Sequence, residues 1–232
     1  PLYSSAASDV YKRQEQLSYV ASSVNNGDLL VPQDAQARQV MDMWVEKTSL
    51  LGDDPIASPE ATAGNAAPGL TIPIFASMVT RIPVTKIVVG LLFHRIKKRA
   101  IFFLLMKLSG LQKTLKLNPV VGIINRSATA MTAHLDDLEL QLEHSGGPWI
   151  CGDQFTLADV GMMVIFDRLR EGDWLDLLVL QRPVLVDYWM VLQQRPSYHS
   201  GCVSFAHPRV TEATVELAAL KQAGQWPSDI PR

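Results

Sequence analysis

The sequence lacks most of the motifs that would define a metal, nucleotide or nucleic-acid site. Its 232 residues include only two cysteines, Cys151 and Cys202, without a CxxC pair and without histidines at ligand spacing. It has no P-loop, GxGxxG or GxSxG motif, and its net charge of −2 gives no overall basic field. We therefore predict no metal site, no nucleic-acid partner and two reduced, inert thiols in a cytoplasmic protein.

Long uninterrupted apolar runs are missing too. The most apolar segment, residues 72–106, is divided by the basic cluster His94–Arg99, and neither part approaches the roughly 20 residues that span a bilayer. We interpret this segment as an amphipathic helix whose charges face water. Contact of the cluster with lipid headgroups or with the acidic face of a partner remains an alternative.

Helical periodicity dominates what is present, and no stretch alternates with the period of two that predicts strands. We therefore predict an all-α protein, a helical bundle. The clearest helix has apolar residues spaced alternately four and three apart: Ile124, Ala128, Met131, Leu135, Leu138 and Leu142. Further helices are predicted at residues 15–24, from about 34 to 52, 83–117, 157–170, 183–195 and 209–224. Residues 53–70, rich in proline and glycine, are predicted to be a loop, and the chain is expected to fray after 224.

The stretch CGDQFTLADV, residues 151–160, has the pattern of a helix start. With Thr156 as N-cap, the Asp159 carboxylate can accept the Thr156 backbone N–H while the hydroxyl accepts the N–H of Asp159. Phe155 and Val160 then stand at the two positions of a hydrophobic staple. A carboxylate in an apolar helix also invites a catalytic reading, but the cap explains Asp159 without a substrate. We predict a structural role for all four residues.

Three stretches have a recognisable pattern: LLVPQDAQARQVMDMW, LELQLEHSGGPWICGDQFTLADVGMMVIFDRL and RPVLVDYWMVLQQRPSYHS. They resemble the C-terminal helical domain of the glutathione S-transferase superfamily, and EQLSYV at residues 15–20 resembles the last helix of the thioredoxin-like domain that precedes it. The third stretch is particularly similar to the tetrachlorohydroquinone dehalogenase-like branch, and the lengthened region at residues 72–118 is similar to ganglioside-induced differentiation-associated proteins.

The chain is expected to divide into four parts. Residues 1–13 have no usable helix or strand period and are expected to be non-native or disordered. The resemblance implies that 14–27 are the remnant of a thioredoxin-like domain plus linker and that 28–205 are the helical domain, followed by a tail at 206–232. In the superfamily the thioredoxin-like domain carries glutathione and activates its thiol. Because those strands and that catalytic residue are not in this sequence, the resemblance assigns no catalytic or glutathione-binding residue here.

The resemblance also implies candidates for a substrate pocket. In these enzymes the first long helices of the helical domain line the site for the hydrophobic electrophile, and the matching residues here are Met41, Trp44, Val45 and Phe75. Large apolar residues at helical spacing are more commonly core residues, and one residue can serve both purposes.

Two functions follow as expectations. The chain is expected to be part of a glutathione S-transferase-like enzyme that conjugates glutathione to hydrophobic electrophiles or reductively dehalogenates them in detoxification, inactive on its own and with a possible homodimeric parent. The alternative is a non-catalytic helical domain of the same type that binds a partner or an apolar ligand.

Overall fold

The computed structural model describes residues 19–21, 23, 30–48, 66–93 and 97–231. In these residues all regular structure is helical, apart from two isolated β-bridges in the turn at 149–154, so the all-α prediction is confirmed. The helices are α1 (Ala35–Thr48), α2 (Ala66–Thr80), α3 (Val84–Phe93), α4 (Lys97–Leu115), α5 (Asn118–Ser145), α6 (Leu157–Glu171), α7 (Leu175–Leu178), α8 (Pro183–Gln193), α9 (Pro196–Gly201) and α10 (Pro208–Gln222), with a 3₁₀ turn at Val203–Phe205.

Helix α5 lies at the centre of the packing. The six apolar residues that predicted its seam are all buried, with Ile124, Leu135 and Leu138 fully so. Helix α2 packs along α5, while α6 packs against α1 and α8. Periodic apolar residues formed the expected core face because a helix as long as α5 places every third or fourth side chain on one side.

Helix α2 was not predicted over its full length, because residues 66–70 were assigned to a loop. Pro73 lies inside the helix, where it removes one backbone hydrogen bond. The helix nevertheless packs against α4, α5 and α10, and Leu70 and Ala76 are buried. Burial on several sides therefore outweighs the poor helix propensity of this segment.

Within the described residues, the predicted helix at residues 83–117 corresponds to α3 and α4, and residues 94–96 lie outside them. Helix α4 is itself kinked at Gly110, whose φ of 74° and ψ of 169° are open to glycine but strained for other residues. Asn118 and Pro119, expected only to end the stretch, begin α5, because proline is tolerated in a first helical turn. Among the described residues, no helix combines the length and the apolar character needed to cross a membrane.

The chain end does not fray as expected. Trp226 and Ile230 are 4% and 2% exposed, and α10 buries Ala213 and Leu217. The indole rings of Trp226 and Trp174 meet edge to face with centroids 5.8 Å apart. Residues after 205 therefore contribute to the same core as α5 and α6. The predicted parts 1–13 and most of 14–27 lie outside the described residues.

Candidate functional site

The start of α6 contains the predicted capping box. Thr156 is the extended N-cap residue, and its backbone N–H donates to Asp159 Oδ2 at 2.8 Å. The Thr156 hydroxyl lies 3.1 Å from the same oxygen and donates to it. The buried backbone N–H of Thr156 thus has an acceptor, and supplying acceptors to the unpaired N–H groups at a helix start is the role of a cap.

The second oxygen of Asp159 joins α6 to two other segments. Asp159 Oδ1 accepts the backbone N–H of Ile150 at 3.0 Å and the hydroxyl of Tyr188 at 2.9 Å. Asp159 is fully buried, Ile150 belongs to the turn before α6, and Tyr188 lies on α8. One carboxylate therefore holds a turn and two helices together.

Titration of this cluster is shifted by its surroundings. Burial raises the pKa of Asp159, and the four hydrogen bonds that it accepts act in the opposite direction. Burial and then the Asp159 charge raise the pKa of Tyr188 well above its usual value. A raised pKa is also typical of catalytic acids. Here every partner of the carboxylate is a structural donor, so the geometry supports a scaffold role.

Phe155 lies beside Trp149 and Arg195. The two rings meet edge to face with centroids 5.0 Å apart, and the Arg195 guanidinium carbon lies 3.5 Å from the Phe155 centroid. Stacking of a cation on an aromatic face adds to the burial of both groups. The predicted contact of Phe155 with Val160 stays a prediction, although Val160 does pack against the core.

Both cysteines are unpaired and half-buried. Burial raises the pKa of the Cys151 thiol, and the nearby Thr156 hydroxyl lowers it by less. Burial likewise raises the pKa of Cys202. A nucleophilic cysteine requires a lowered pKa, so neither thiol has the environment of a catalytic group.

The four pocket candidates are distributed between core and surface. On α1, Met41 and Trp44 are 3% and 1% exposed, and Val45 is half-buried. Phe75 on α2 is 45% exposed. A surface cavity of about 300 Å³ is lined instead by residues of α5, α7 and the chain end: Asn125, Ala128, Thr129, Thr132, Leu177, Leu178 and Pro231. Of the four candidates, Phe75 therefore offers the most surface to a ligand.

A buried polar pair beside the α1 candidates was not predicted. The rings of Trp44 and His134 have centroids 5.6 Å apart, and the Lys47 ammonium lies 4.7 Å from the Trp44 ring. Trp44 Nε1 and His134 Nε2 are buried without a hydrogen-bond partner. Burial, followed by Lys47, lowers the pKa of His134 to about 4, so the ring is neutral at physiological pH. The only indication of this pair in the sequence was the position of His134, directly before Leu135 of the α5 seam.

Two further predictions concern metal and membrane contacts. Within the described ranges of the chain, no group of three or more histidine, cysteine, aspartate or glutamate side chains is arranged to hold a metal ion. The side chains of His94–Arg99 lie outside the described residues, so their predicted contacts remain predictions.

Comparison with known proteins gives a match to the segment that contains the hydrogen bonds around Asp159. Residues 126–198 match the family model described as glutathione S-transferase, C-terminal domain. These residues are therefore similar to the C-terminal domain of glutathione S-transferases. The match includes the buried seam of α5 from Ala128 onward, the capping box and Tyr188, so the matched segment contains the hydrogen-bond network around Asp159.

A curated relative supports the same assignment. Over 77 residues the chain is 32% identical to glutathione S-transferase TCHQD of Arabidopsis thaliana, which covers 33% of this chain and 28% of that protein. The chain thus matches little more than a quarter of its relative's length. No solved structure matches the chain. Both comparisons therefore show similarity to glutathione S-transferases over about a third of the chain.

Proposed function

We propose that this chain supplies the hydrophobic substrate side of a glutathione S-transferase-like enzyme, which conjugates glutathione to hydrophobic electrophiles or reductively dehalogenates them. The observation that carries the proposal is the glutathione S-transferase C-terminal domain at residues 126–198. Glutathione would be held by a thioredoxin-like domain encoded upstream, and the chain alone would be inactive.

The geometry of the described residues is consistent with a scaffold rather than a reaction centre. The buried carboxylates Asp159 and Asp167 are both committed to structural partners, since Asp167 accepts the Tyr198 hydroxyl at 2.9 Å and pairs with Arg170 at 2.8 Å. The two thiols have raised pKa values. The thiol of glutathione would therefore have to be activated from outside this segment.

Phe75 is the residue of this chain that we propose contacts the electrophile. Its ring is 45% exposed on α2, while Met41 and Trp44 are in the core. Exposed aromatic rings provide apolar contact area for small ligands without distorting a core.

The test compares two proteins: the 232-residue chain, and the product of the natural reading frame extended upstream of Glu15. We expect glutathione conjugation of a chloronitrobenzene, or dehalogenation of a chlorohydroquinone, only in the longer protein. In that protein, Phe75→Ala should raise the KM for the electrophile several-fold and leave the KM for glutathione unchanged. Phe205→Ala is the matched control, because Phe205 is 79% exposed far along the chain in the 3₁₀ turn.

Two results would contradict the proposal. Retention of the 232-residue chain on immobilised glutathione would show that it contains a thiol site. A frame whose start codon lies close to Glu15, or a longer protein with no glutathione-dependent reaction, would favour the alternative, a non-catalytic helical binding domain of transferase type. A longer protein would also allow dimerisation of the parent to be measured directly.

A further inference from the structure

Acidic residues are excluded from one continuous third of the chain. All 23 of them lie outside residues 61–135, and the same segment contains ten of the 21 lysines and arginines. The segment therefore carries +10, and the rest of the chain, with eleven cations and 23 acids, carries −12. The overall charge of −2 hides this separation. Arg81 is paired with Glu212 and Glu216 of α10. A segment whose remaining cations have no acid near them in sequence favours an anionic partner.

The same segment exposes an apolar stripe on α4. Ile101, Leu105 and Leu108 are spaced four and three apart, which places them on one face, and they are 48%, 52% and 70% exposed. Another face of α4 buries Met106 and Leu111 in the core. An apolar helix surface on two sides requires a neighbour on each, and this chain supplies only one in the described residues.

The adjoining helix α3 extends this surface. Val84, Val88 and Val89 are 42%, 39% and 53% exposed, and α3 packs against α4. Lys86 is also exposed and forms no ion pair in the part of the chain that the structure describes. In sequence, α4 begins with Lys97, Lys98 and Arg99, one turn before Ile101. In the sequence of α3 and α4, the apolar residues are thus accompanied by cations and by no acidic residue.

We propose that the α3–α4 pair docks on the surface of an anionic lipid bilayer. The apolar stripe of Ile101, Leu105 and Leu108 would enter the boundary between headgroups and acyl chains. Charge complementarity selects this occupant. A second copy of the same face would bring cations against cations, because residues 61–135 contain no acid to pair with them. A bilayer supplies both an apolar layer for the stripe and phosphates for the lysines. The helices would lie on the membrane and not cross it.

The test measures co-sedimentation of the 232-residue chain with vesicles of phosphatidylcholine, with and without about 30% phosphatidylserine. We expect binding to the anionic vesicles at low salt, weakening as salt screens the charges, and little binding to neutral vesicles. Leu105→Asp with Leu108→Asp should lower the partition coefficient by at least about tenfold, since two buried leucines are lost. Lys97→Gln with Lys98→Gln should lower it by roughly 25-fold, about fivefold per charge.

Matched controls distinguish an effect specific to the α3–α4 surface from a general effect of the protein's net charge on vesicle binding. Val215→Asp is the control for the leucine substitutions, because it introduces an aspartate at an exposed apolar position of α10. Arg38→Gln with Arg209→Gln is the control for the lysine substitutions, because it removes two exposed cations outside α3 and α4. Both control variants should bind vesicles like the parent. The proposal is overturned if the folded chain ignores anionic vesicles at low salt, or if the controls lose binding as much as the stripe variant. A concentration-dependent dimer dispersed by the leucine substitutions, without vesicle binding, would identify a second copy as the occupant instead.

Discussion

Replacing Asp159 by alanine tests whether the start of α6 is held by one carboxylate. The substitution removes the acceptor for the backbone N–H groups of Ile150 and Thr156 and for the hydroxyl of Tyr188, which lie 3.0, 2.8 and 2.9 Å from it. The Thr156 hydroxyl loses the same acceptor but can turn to Cys151 Sγ, 3.8 Å away, so three donors are left without a partner. The site is fully buried, so these donors have no access to bulk water. The domain should therefore lose far more stability than it would by losing an exposed cap.

The expected loss follows from the number of donors left without a partner. A buried donor without an acceptor costs about 1–3 kcal/mol, and three of them together give about 4–6 kcal/mol after some local relaxation. Total stabilities of single domains are about 5–15 kcal/mol. Asp159→Ala is thus expected to leave the chain marginally folded. Tyr188→Phe removes one donor together with its hydrogen bond and should cost about 1–2 kcal/mol.

Urea unfolding followed by circular dichroism in the far ultraviolet measures these losses. Asp153→Ala is the matched control, because Asp153 is an exposed aspartate in the same turn and should change the free energy of unfolding by less than about 0.5 kcal/mol. A loss below about 2 kcal/mol for Asp159→Ala would refute the reasoning. Equal losses for Tyr188→Phe and Asp159→Ala would show that the hydrogen bonds from Ile150 and Thr156 to Asp159 contribute nothing to the free energy of unfolding.

Three other predictions address pH, helix packing and the chain end. Because burial lowers the pKa of His134 from 6.5 to about 4, only the unfolded chain takes up its proton as the pH falls below 6.5. The free energy of unfolding should thus be about 2 kcal/mol lower at pH 5 than at pH 7, and His134→Gln should remove most of that difference. A Cβ on Gly161 would lie 2.5 Å from Thr48 Oγ1, so Gly161→Ala should cost about 1–2 kcal/mol in urea unfolding, whereas Gly90→Ala, with open space around it, should stabilise by a few tenths. Trp226→Ala should cost about 3–5 kcal/mol and lower the thermal midpoint; a loss below about 1 kcal/mol would contradict the buried position of Trp226.

The features that could be predicted from sequence are those set by neighbours along the chain. The seam of α5 depends on spacing alone, and the capping box depends on Thr156 and Asp159, three positions apart. The same residues contribute strongly to the resemblance that led to the transferase domain. The Tyr188 bond to Asp159 could not be predicted in this way, because the two residues are 29 positions apart and meet only through the packing of α6 on α8.

Errors occurred where tertiary contacts outweighed local composition. Proline and glycine at residues 53–70 indicated a loop, yet the second part of this segment begins α2, because Leu70 and the residues after it are buried between helices. The final residues were expected to fray because they contain Pro227 and Pro231. Trp226 instead donates to the carbonyl of Pro231 at 3.1 Å and closes that end against the core. Neither arrangement has a short-range sequence signal.

Large apolar side chains are exposed on several described helices, including Leu140, Val164 and Met190 within residues 126–198, but those of α4 share one face of an acid-free segment. In residues 126–198 the seam of α5 is buried and the donors around Asp159 are paired within the domain. In α4, Leu105 and Leu108 remain 52% and 70% exposed although their removal from water would be favourable. Because such exposed side chains add little to the free energy of unfolding, stability alone does not account for a leucine stripe inside an acid-free segment. The proposed contact with an anionic bilayer would account for both features at once.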